Sequence, residues 1–397
     1  MNNRKPLKIV IFDGSFKTTP FINRLLEGLV HNQYKVYVLG FNEALTTKIA
    51  QVNYVPLGSN QNKWRLIVTT LKLYWTNKNK ASVCQALGNL IKGKRTDIQK
   101  QNVQLAINKI KPDVIHAQWT SVLPWLEEIL EAQKIPVILS QRGYHSNIRP
   151  FVNQDNFNYL KHWYPKIAGF HSVSKAISKK GDDIYKATDK KNHVVYTGID
   201  FEKLPFNKSL PTTKTLEVIS VGRAHWIKGY DNALQSCQLL KEQNIDFKYT
   251  IIGAAGDEEL QFLRHDLGLE NHVNLIGRLP QEDVFKRMQN ANVLVVSSIA
   301  EGVPNVVVEA MALGVPVIST ACGGVEELIE NNTNGWLVPT RNPKALAEAL
   351  IKFNQLPKST IENIRISAHK KVEAQHSETK MIADMEALYK TVIKAKS

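Results

Sequence analysis

The chain has 397 residues, of which 43% are hydrophobic and 22% are charged, a composition typical of globular domains. This length predicts two domains of about 150–200 residues each. No apolar run reaches the roughly 20 residues that span a bilayer, and the apolar run near the start breaks at Asp13, which is not typical of a secretory signal. Three widely spaced cysteines exclude a disulfide framework and a cysteine zinc site, and this favours a cytoplasmic location.

The net charge of +15 is carried by one half of the chain. Residues 1–200 hold 29 lysines and arginines against 13 aspartates and glutamates, a net charge of +16. The stretch 61–100 has nine basic residues and one acid, and apolar residues lie between them: Trp64, Leu71, Tyr74 and Trp75. A solvated lysine-rich surface fits this pattern, and so does a surface for anionic lipid or a phosphate-bearing acceptor. The aromatic residues favour the membrane interface, at the inner face of the cytoplasmic membrane.

The first half of the chain predicts a doubly wound α/β domain. Its apolar runs are continuous, as in parallel strands covered on both faces. Strands are predicted at 9–12, 35–39, 113–116, 136–140 and 169–173, with helical patterns between them, among them 20–30 and 121–132.

The second half predicts another domain of the same architecture. Its strands are predicted at 216–221, 248–252, 273–276, 293–297 and 315–319, and the tail at 361–394 is predicted to be helical with a break near 375–377. We therefore expect domains at 1–196 and 197–376, with a final helix at 377–397 that packs back on the first domain. Because ligands of open parallel sheets bind beyond the carboxyl ends of the strands, two such sheets facing each other would form a binding cleft.

Two glutamates stand at the carboxyl edge of the second predicted sheet. Glu301 lies in the loop after a strand, and Glu309 lies about one turn inside the helix that follows Pro304 and stops at Gly314. A carboxylate on an otherwise apolar helix is costly unless it is paired or hydrogen-bonded, and vicinal sugar hydroxyls are suitable donors. The amides around Asn305–Val307 at the helix start favour a phosphate. A plain salt-bridged pair of surface acids is the alternative.

A second cluster begins at the end of an earlier strand, at Gly222 and Arg223, and continues to Lys228 and Gly229. Gly222 lets the backbone approach a ligand. One planar cation and one point cation suit a diphosphate, although an exposed basic loop is the alternative for this string alone.

Together these two clusters resemble the retaining glycosyltransferases of the GT-B fold usually numbered family 4. The residues that carry the resemblance are Glu301 and Glu309 in an E-x7-E spacing, with Gly222-Arg223 and Lys228-Gly229 before them. Supporting strings fall in the family's order: 112–116, 173–174, 196–200, 277–280 and 323–327. The resemblance covers nearly the whole C-terminal half but only scattered motifs of the N-terminal half. It implies two Rossmann-like parallel-sheet domains that face a cleft.

The resemblance also implies roles for individual residues. Arg223 and Lys228 would hold the nucleotide diphosphate and neutralise the departing phosphate without a metal. Glu309 would bind the ribose and Glu301 the donor sugar. The other donor contacts implied are the Asn305 and Val306 amides, the backbone of Arg278 and Leu279 beside the base, Gly222, and the Gly14 loop of the first domain. The leaving phosphate oxygen would accept the acceptor's proton on the front face of the sugar.

Three residues of the first half complete the predicted site. His116 would face the cleft and contact the donor sugar through its side chain or its carbonyl, although a lone histidine among apolar residues is more often packed in a core. Arg142 and Tyr144 follow a strand and could shape the acceptor site, and a structural turn is an equal alternative. The resemblance therefore implies transfer of a hexose from a nucleotide-diphosphate sugar to a glycan or lipid-linked acceptor, in the synthesis of cell-surface polysaccharide or glycolipid.

Other functions fit the sequence less well. The chain contains no Asp-x-Asp pair, which argues against metal-dependent transfer, so no cofactor or metal is expected. No G-x-G-x-x-G follows the first strand, which counts against an oxidoreductase. A sugar-nucleotide 2-epimerase of the same fold and a non-catalytic sugar-nucleotide-binding protein stay open. Nucleic acid is not expected as a partner, because no nucleic-acid-binding signature accompanies the charge.

Overall fold

The chain, examined as a computed structural model, is described over residues 6–41, 48–77, 94–207, 209, 211 and 213–395. It divides into two compact units. The N-terminal unit comprises Met1–Val173, Ile177–Gly198 and Glu378–Ser397, and the C-terminal unit comprises Ser174–Ala176 and Ile199–Ser377. Three lysines of the basic stretch 61–100 lie outside the described residues: Lys78, Lys80 and Lys92.

The N-terminal unit is built on a parallel sheet of seven strands in the order β3-β2-β1-β4-β5-β6-β7. The strands are β1 (Lys8–Ser15), β2 (Lys35–Phe41), β3 (Asn53–Pro56), β4 (Val114–Ala117), β5 (Val137–Gln141), β6 (Gly169–Ser172) and β7 (Asn192–Val194). The five strands predicted from apolar runs are confirmed. The edge strands β3 and β7 were not predicted, because they are short and only partly buried, so no apolar run marks them.

The helices of this part of the chain are α1 (Pro20–His31), α2 (Lys63–Asn77), α3 (Arg95–Ile110), α4 (Glu127–Ala132), α5 (Tyr144–Asn147), α6 (Arg149–Val152), α7 (Gln154–Trp163) and α8 (Lys175–Ile184). The predicted helix 121–132 is two elements, a 3₁₀ helix at Thr120–Trp125 followed by α4. The reason is Pro124, which has no N–H to donate, so the turn closes by a bond from the Leu126 amide to the Leu123 carbonyl.

The C-terminal unit has a six-stranded parallel sheet in the order β10-β9-β8-β11-β12-β13. The strands are β8 (Leu216–Val221), β9 (Phe247–Ile252), β10 (Val273–Ile276), β11 (Val293–Val296), β12 (Val317–Thr320) and β13 (Trp336–Val338). The helices are α9 (Tyr230–Glu242), α10 (Glu258–Asp266), α11 (Gln281–Gln289), α12 (Asn305–Leu313), α13 (Pro343–Gln355) and α14 (Lys358–Gln375). The central strands β11 and β12 are buried along their whole length, which explains their continuous apolar runs.

The last helix, α15 (Glu378–Lys394), belongs to the N-terminal unit. It follows α14 after a break at His376 and Ser377, as the sequence predicts. Its buried face packs with α1 and the first sheet: Met381, Ile382, Met385, Leu388, Tyr389 and Val392. Gly28 and Gly169 make room for this helix, because an added Cβ would lie within 2.6 Å of its side chains.

Each sheet has one point at which the strand order reverses. In the N-terminal unit it falls between β1 and β4, and in the C-terminal unit between β8 and β11. Loops after neighbouring strands diverge there and leave a crevice in which ligands of such sheets bind. Within the described ranges, no helix is both long and apolar enough to cross a bilayer.

Candidate active site

The loops after β8 and β11 meet at the reversal point of the C-terminal sheet. Gly222 and Arg223 directly follow β8, and a 3₁₀ helix, Trp226–Lys228, leads into α9. The Ile299 amide donates to the Ile227 carbonyl at 2.8 Å, and the Ser297 hydroxyl donates to the Lys228 carbonyl at 2.8 Å. The two loops are therefore held together by one backbone–backbone bond and by one bond from a serine side chain to the backbone.

Gly229 sets the end of the first loop. Its φ of 59° lies in the left-handed region, and an added Cβ would lie 2.2 Å from the Ser297 carbonyl oxygen. Only glycine allows this contact, which brings the loop against the strand end.

The central contact of the site is an ion pair between Lys228 and Glu301. The Lys228 Nζ lies 2.7 Å from Glu301 Oε1, and the Ser298 hydroxyl donates to the same oxygen at 2.9 Å. The two side chains are 23% and 16% exposed, so the pair is only partly solvated and still reachable. The sequence places both residues at this edge but does not predict that they pair.

The Glu301 loop is anchored by the segment after β12. The Glu301 amide donates to the Cys322 carbonyl at 2.8 Å, and Glu301 forms an isolated parallel bridge with Gly323. An added Cβ at Gly323 would lie 2.8 Å from the Glu301 carbonyl oxygen, and one at Gly324 would lie 1.4 Å from the Gly302 carbonyl oxygen. The two glycines therefore allow the close approach that fixes Glu301.

Helix α12 supplies the second glutamate. It begins at Asn305 after Pro304 and ends at Gly314, whose φ of 74° confirms the predicted left-handed cap. Glu309 is half-buried on this otherwise apolar helix, and its Oε1 accepts a hydrogen bond from Gln281 Nε2 at 3.3 Å. Gln281, the first residue of α11, was missed by sequence reasoning, although a polar residue just after a strand-end loop is a detectable signal.

The remaining donor-side residues lie at the same carboxyl edge. Arg223 is exposed after β8, and Arg278 is exposed after β10. Leu279 is half-buried and packs against the core of the unit. Tyr230, which the sequence reasoning did not name, donates its hydroxyl to the Gly222 carbonyl at 3.1 Å, and burial raises the pKa of that hydroxyl.

The side chain of His116 is buried, and this corrects the prediction that it faces a cleft. It lies on β4 with its side chain fully buried in the N-terminal unit. Its Nδ1 is 2.8 Å from the Tyr389 hydroxyl, and its Nε2 is 2.8 Å from the Ser140 hydroxyl. Side chains alternate along a strand, so His116 shares the face of Val114, which packs with α15. A role for the His116 carbonyl stays a prediction.

The other predicted N-terminal residues lie at or near the carboxyl edge of their own sheet. Gly14, near the end of β1, has a φ of 86° at a register shift in the sheet. Arg142 directly follows β5, and Tyr144, the first residue of α5, is exposed. The predicted residues of each unit are therefore brought to one edge of that unit's sheet, although the His116 side chain is fully buried there.

Both units have counterparts in solved structures. The sucrose-phosphate synthase of Thermosynechococcus elongatus has a TM-score of 0.76 to this chain at 16% identity, over 98% of this chain and 100% of that chain. HepE of Anabaena, solved in complex with UDP and glucose, has a TM-score of 0.74 at 17% identity, over 97% and 100%. At these identities the likeness shows the fold alone, which is GT-B, with two Rossmann-like parallel-sheet units.

The sequence of the C-terminal unit is similar to a known family. Residues 201–371 match the family described as "Glycosyl transferases group 1". This range contains both loops and α12, so this part of the chain is similar to that family, and the resemblance to glycosyltransferases is confirmed. The finer assignment to family 4 stays a prediction.

Two curated relatives show how far the similarity extends. The amylovoran biosynthesis glycosyltransferase AmsK of Erwinia amylovora is 35% identical over 196 residues, 47% of this chain and 48% of that protein. The capsular polysaccharide biosynthesis glycosyltransferase CapM of Staphylococcus aureus is 28% identical over 204 residues, 50% and 53%. The chain thus spans about half the length of these relatives.

Proposed function

We propose that the protein is a retaining glycosyltransferase that moves a hexose from a nucleotide-diphosphate sugar to a glycan or lipid-linked acceptor in polysaccharide or glycolipid synthesis. The observation that carries the proposal is the Lys228–Glu301 pair at the reversal point of the sheet, with Glu309 half-buried nearby on α12. The named functions of AmsK and CapM, and the UDP and glucose in HepE, support it.

The proposed chemistry needs positive charge where the diphosphate departs. Lys228 and Arg223 supply that charge, and the first-turn amides of α12, near Asn305 and Val306, supply N–H donors. The bond between the anomeric carbon and the diphosphate oxygen breaks, and the acceptor oxygen bonds to the same face of the sugar. The leaving phosphate oxygen takes the acceptor's proton, so neither a metal nor a protein base is needed.

We also propose how the contacts of Lys228 and Glu301 change when the donor binds. Without donor, Glu301 holds Lys228 in place at 2.7 Å. With donor, the diphosphate binds Lys228, because it carries more negative charge than one carboxylate. The sugar hydroxyls then donate to the Glu301 carboxylate. Glu309, held by Gln281 on one oxygen, accepts from the ribose hydroxyls. The backbone of Arg278 and Leu279 borders the base. The Gly14 loop of the N-terminal unit stays a predicted contact of the donor phosphates.

A sugar-nucleotide panel tests the reaction class. Proton NMR of the full-length protein with UDP-, GDP- and ADP-sugars should show a nucleoside diphosphate accumulating, with the sugar released to water or to an added acceptor. A second, epimeric sugar nucleotide would instead establish the epimerase. Binding with no turnover on any donor, with cell-surface glycan and lipid extracts as acceptors, would leave the non-catalytic alternative and contradict the proposal.

We further propose that α2 brings the enzyme to an anionic membrane surface. One stripe of this helix is apolar and exposed, with Trp64 at 76% and Trp75 at 89% exposure and Val68 and Leu71 between them. The opposite face is buried through Leu73 and Tyr74. Lys63, Arg65 and Lys72 flank the stripe, and α2 contains no acidic residue. Exposed indole rings beside cations suit the headgroup region of anionic lipid.

Vesicle co-sedimentation tests this placement. Binding should rise with the anionic lipid fraction, and the double variant Trp64→Ala/Trp75→Ala should lose at least about tenfold in partitioning. Phe262→Ala, which removes an aromatic ring that is 68% exposed from α10 of the other unit, is the matched control. Partitioning that ignores anionic lipid, or that survives the double substitution, would overturn the proposal.

A further inference from the structure

A polar cluster at the carboxyl edge of the N-terminal sheet has no assigned ligand. It lies after the neighbouring strands β4 and β5, next to the reversal point between β1 and β4. Its centre is Arg142, directly after β5, beside Gln118, directly after β4, and His145 of α5. These three residues are called the strand-end cluster.

The guanidinium of Arg142 is held in place by neutral groups. Its Cζ lies 3.9 Å from the centre of the Phe21 ring, and its Nη2 donates to Gln118 Oε1 at 2.9 Å and to the Ser140 hydroxyl at 3.3 Å. In the part of the chain that the structure describes, no ion pair involves Arg142. A fixed cation whose hydrogen-bond partners are all neutral can bind a ligand that brings negative charge to it.

Three buried nitrogens of the cluster have no hydrogen-bond partner among the described residues: Gln118 Nε2, Arg142 Nε and His145 Nδ1. Buried polar groups are rarely left unpaired, so such a concentration needs a ligand or water. Two of the three are obligate donors, which calls for acceptor oxygens. Gly143 lies beside them with a φ of 43°, and an added Cβ would have no atom within 4 Å, so there is open space next to the donors.

Two charged groups lie at or near the cluster. Burial lowers the pKa of Arg142 to about 9, because the guanidinium is poorly solvated. The nearby carboxyl of Asp13, which accepts from Trp119 Nε1 at 2.6 Å, has a pKa raised by burial. That carboxyl attracts Arg142 through its charge but forms no ion pair with it among the described residues, so the unpaired N–H groups of the cluster stay available to a ligand.

We propose that the strand-end cluster binds an oxyanion of the acceptor, either a carboxylate or a phosphate. The proposal rests on the glycosyltransferase function proposed above and narrows the acceptor to an anionic one. A planar guanidinium next to an amide N–H can bind two oxygens of one oxyanion. The open space at Gly143 and the exposed ring of Tyr144 leave room for the sugar that bears the anion.

Ligand-observed NMR titration of the full-length protein tests the subsite with three probes. Methyl glucuronoside carries a carboxylate, glucose 6-phosphate carries a phosphate, and methyl glucoside carries neither. One anionic probe should bind at least about tenfold more tightly than the neutral one, with an affinity that falls as salt is added. Which anionic probe binds distinguishes an acidic sugar from a phosphorylated acceptor.

Variants locate the binding. Arg142→Ala should weaken binding of the anionic probe at least about tenfold. Lys161→Ala, which removes an exposed cation from α7 of the same unit, should not. Arg142→Lys keeps the charge but loses the planar guanidinium, so its affinity for the probe should lie between those of Arg142→Ala and Lys161→Ala. This variant replaces Arg142→Ala in the test if the alanine variant does not fold. Arg223→Ala should bind the probe normally, which excludes the donor site as the source.

Three results would overturn the proposal: equal binding of neutral and anionic probes, unchanged binding in Arg142→Ala, or no anionic binding up to about 20 mM. Nucleoside diphosphate binding is measured on the same samples. If the nucleotide binds and the anionic probes do not, only the acceptor subsite fails. If the nucleotide does not bind either, the proposed function fails.

Discussion

At the scale of single residues, the Lys228–Glu301 pair is the feature on which the proposed chemistry depends. The family resemblance implies separate roles for the two residues, one at the diphosphate and one at the sugar. The structure joins them at 2.7 Å, with the Ser298 hydroxyl on the same carboxylate oxygen. Because the pair is partly exposed, its own contribution to stability is small, at most about 1 kcal/mol. Its value is that it positions a cation before the donor arrives.

Lys228→Ala should lower turnover by about 100- to 1000-fold, the loss typical of removing one group that stabilises developing charge. The nucleotide affinity should fall less, because Arg223 and the α12 amides still meet the diphosphate. Steady-state kinetics on an accepted donor, with separate nucleotide titrations, measures both effects. Lys248→Ala, which removes an exposed cation from β9, is the control. A Lys228→Ala enzyme as active as that control would contradict the electrostatic mechanism.

Gly229→Ala should destabilise the C-terminal unit by more than the cost of a left-handed alanine alone. The left-handed conformation costs about 1–2 kcal/mol for a residue with a Cβ, and the contact of 2.2 Å with the Ser297 oxygen adds to it. Gly256→Ala is the matched control, because Gly256 has a φ of 82° but open space around it. Urea unfolding of both variants gives the difference. Equal losses would show that the loop moves aside freely.

The sequence was informative about residues whose chemistry is local and less so about residues whose orientation depends on packing. Glu309, Arg223 and Lys228 could be placed at one sheet edge from strand ends alone. The pairing of Lys228 with Glu301 could not, because it joins side chains from two distant loops. His116 was misplaced because a strand-end position fixes the edge but not the face, and the face is decided by the helix that packs there.

At the scale of elements, α15 shows how a distant segment completes the N-terminal unit. Tyr389 of this helix meets His116, and the Ser140 hydroxyl links His116 to His171, whose Nε2 is 3.1 Å from the Val195 carbonyl oxygen. The sequence predicts the helix, its break from α14 and the five strands of the N-terminal sheet that carry continuous apolar runs. It does not predict β3 or β7, since short, partly buried edge strands carry no continuous apolar run.

This buried network predicts that the N-terminal unit loses stability in mild acid. Burial lowers the pKa of His171 to about 3 and that of His116 well below its ordinary value. Both are neutral in the folded state, whereas in the unfolded chain they gain protons as the pH falls below about 6.5. The unfolded state then binds more protons, so the free energy of unfolding falls as the pH falls from about 6.5 toward 3, by up to about 1.4 kcal/mol per pH unit for each histidine.

Urea unfolding between pH 7 and 4.5 measures this slope. His171→Asn removes one of the two buried imidazoles and should reduce the slope relative to the native chain. His162→Asn, on exposed α7, should leave it unchanged. A native slope no steeper than that of His171→Asn would contradict the assignment of two neutral buried histidines.

At the scale of the whole molecule, the two units differ in what supports their proposed roles. Most of the C-terminal unit matches the glycosyl transferases group 1 family, and the matched range includes the loops and α12 that hold the predicted donor residues. The N-terminal unit shares the GT-B fold, while the proposals for its ligands rest on the exposed stripe of α2 and on Arg142. An acceptor site is harder to predict from sequence, because it depends on loops and side-chain networks and not on a spaced motif.

The most direct test of the central claim is whether the C-terminal unit binds a nucleoside diphosphate. Thermal unfolding of the full-length protein is followed with UDP, GDP, ADP and their sugars. A ligand at about 100 times its dissociation constant should stabilise the folded state by about 2.7 kcal/mol. Glu309→Ala should lose most of this stabilisation, whereas Glu348→Ala, an exposed glutamate on α13, should keep it. If no nucleotide stabilises the protein at millimolar concentration, or if Glu309→Ala responds like Glu348→Ala, the proposed donor site is contradicted.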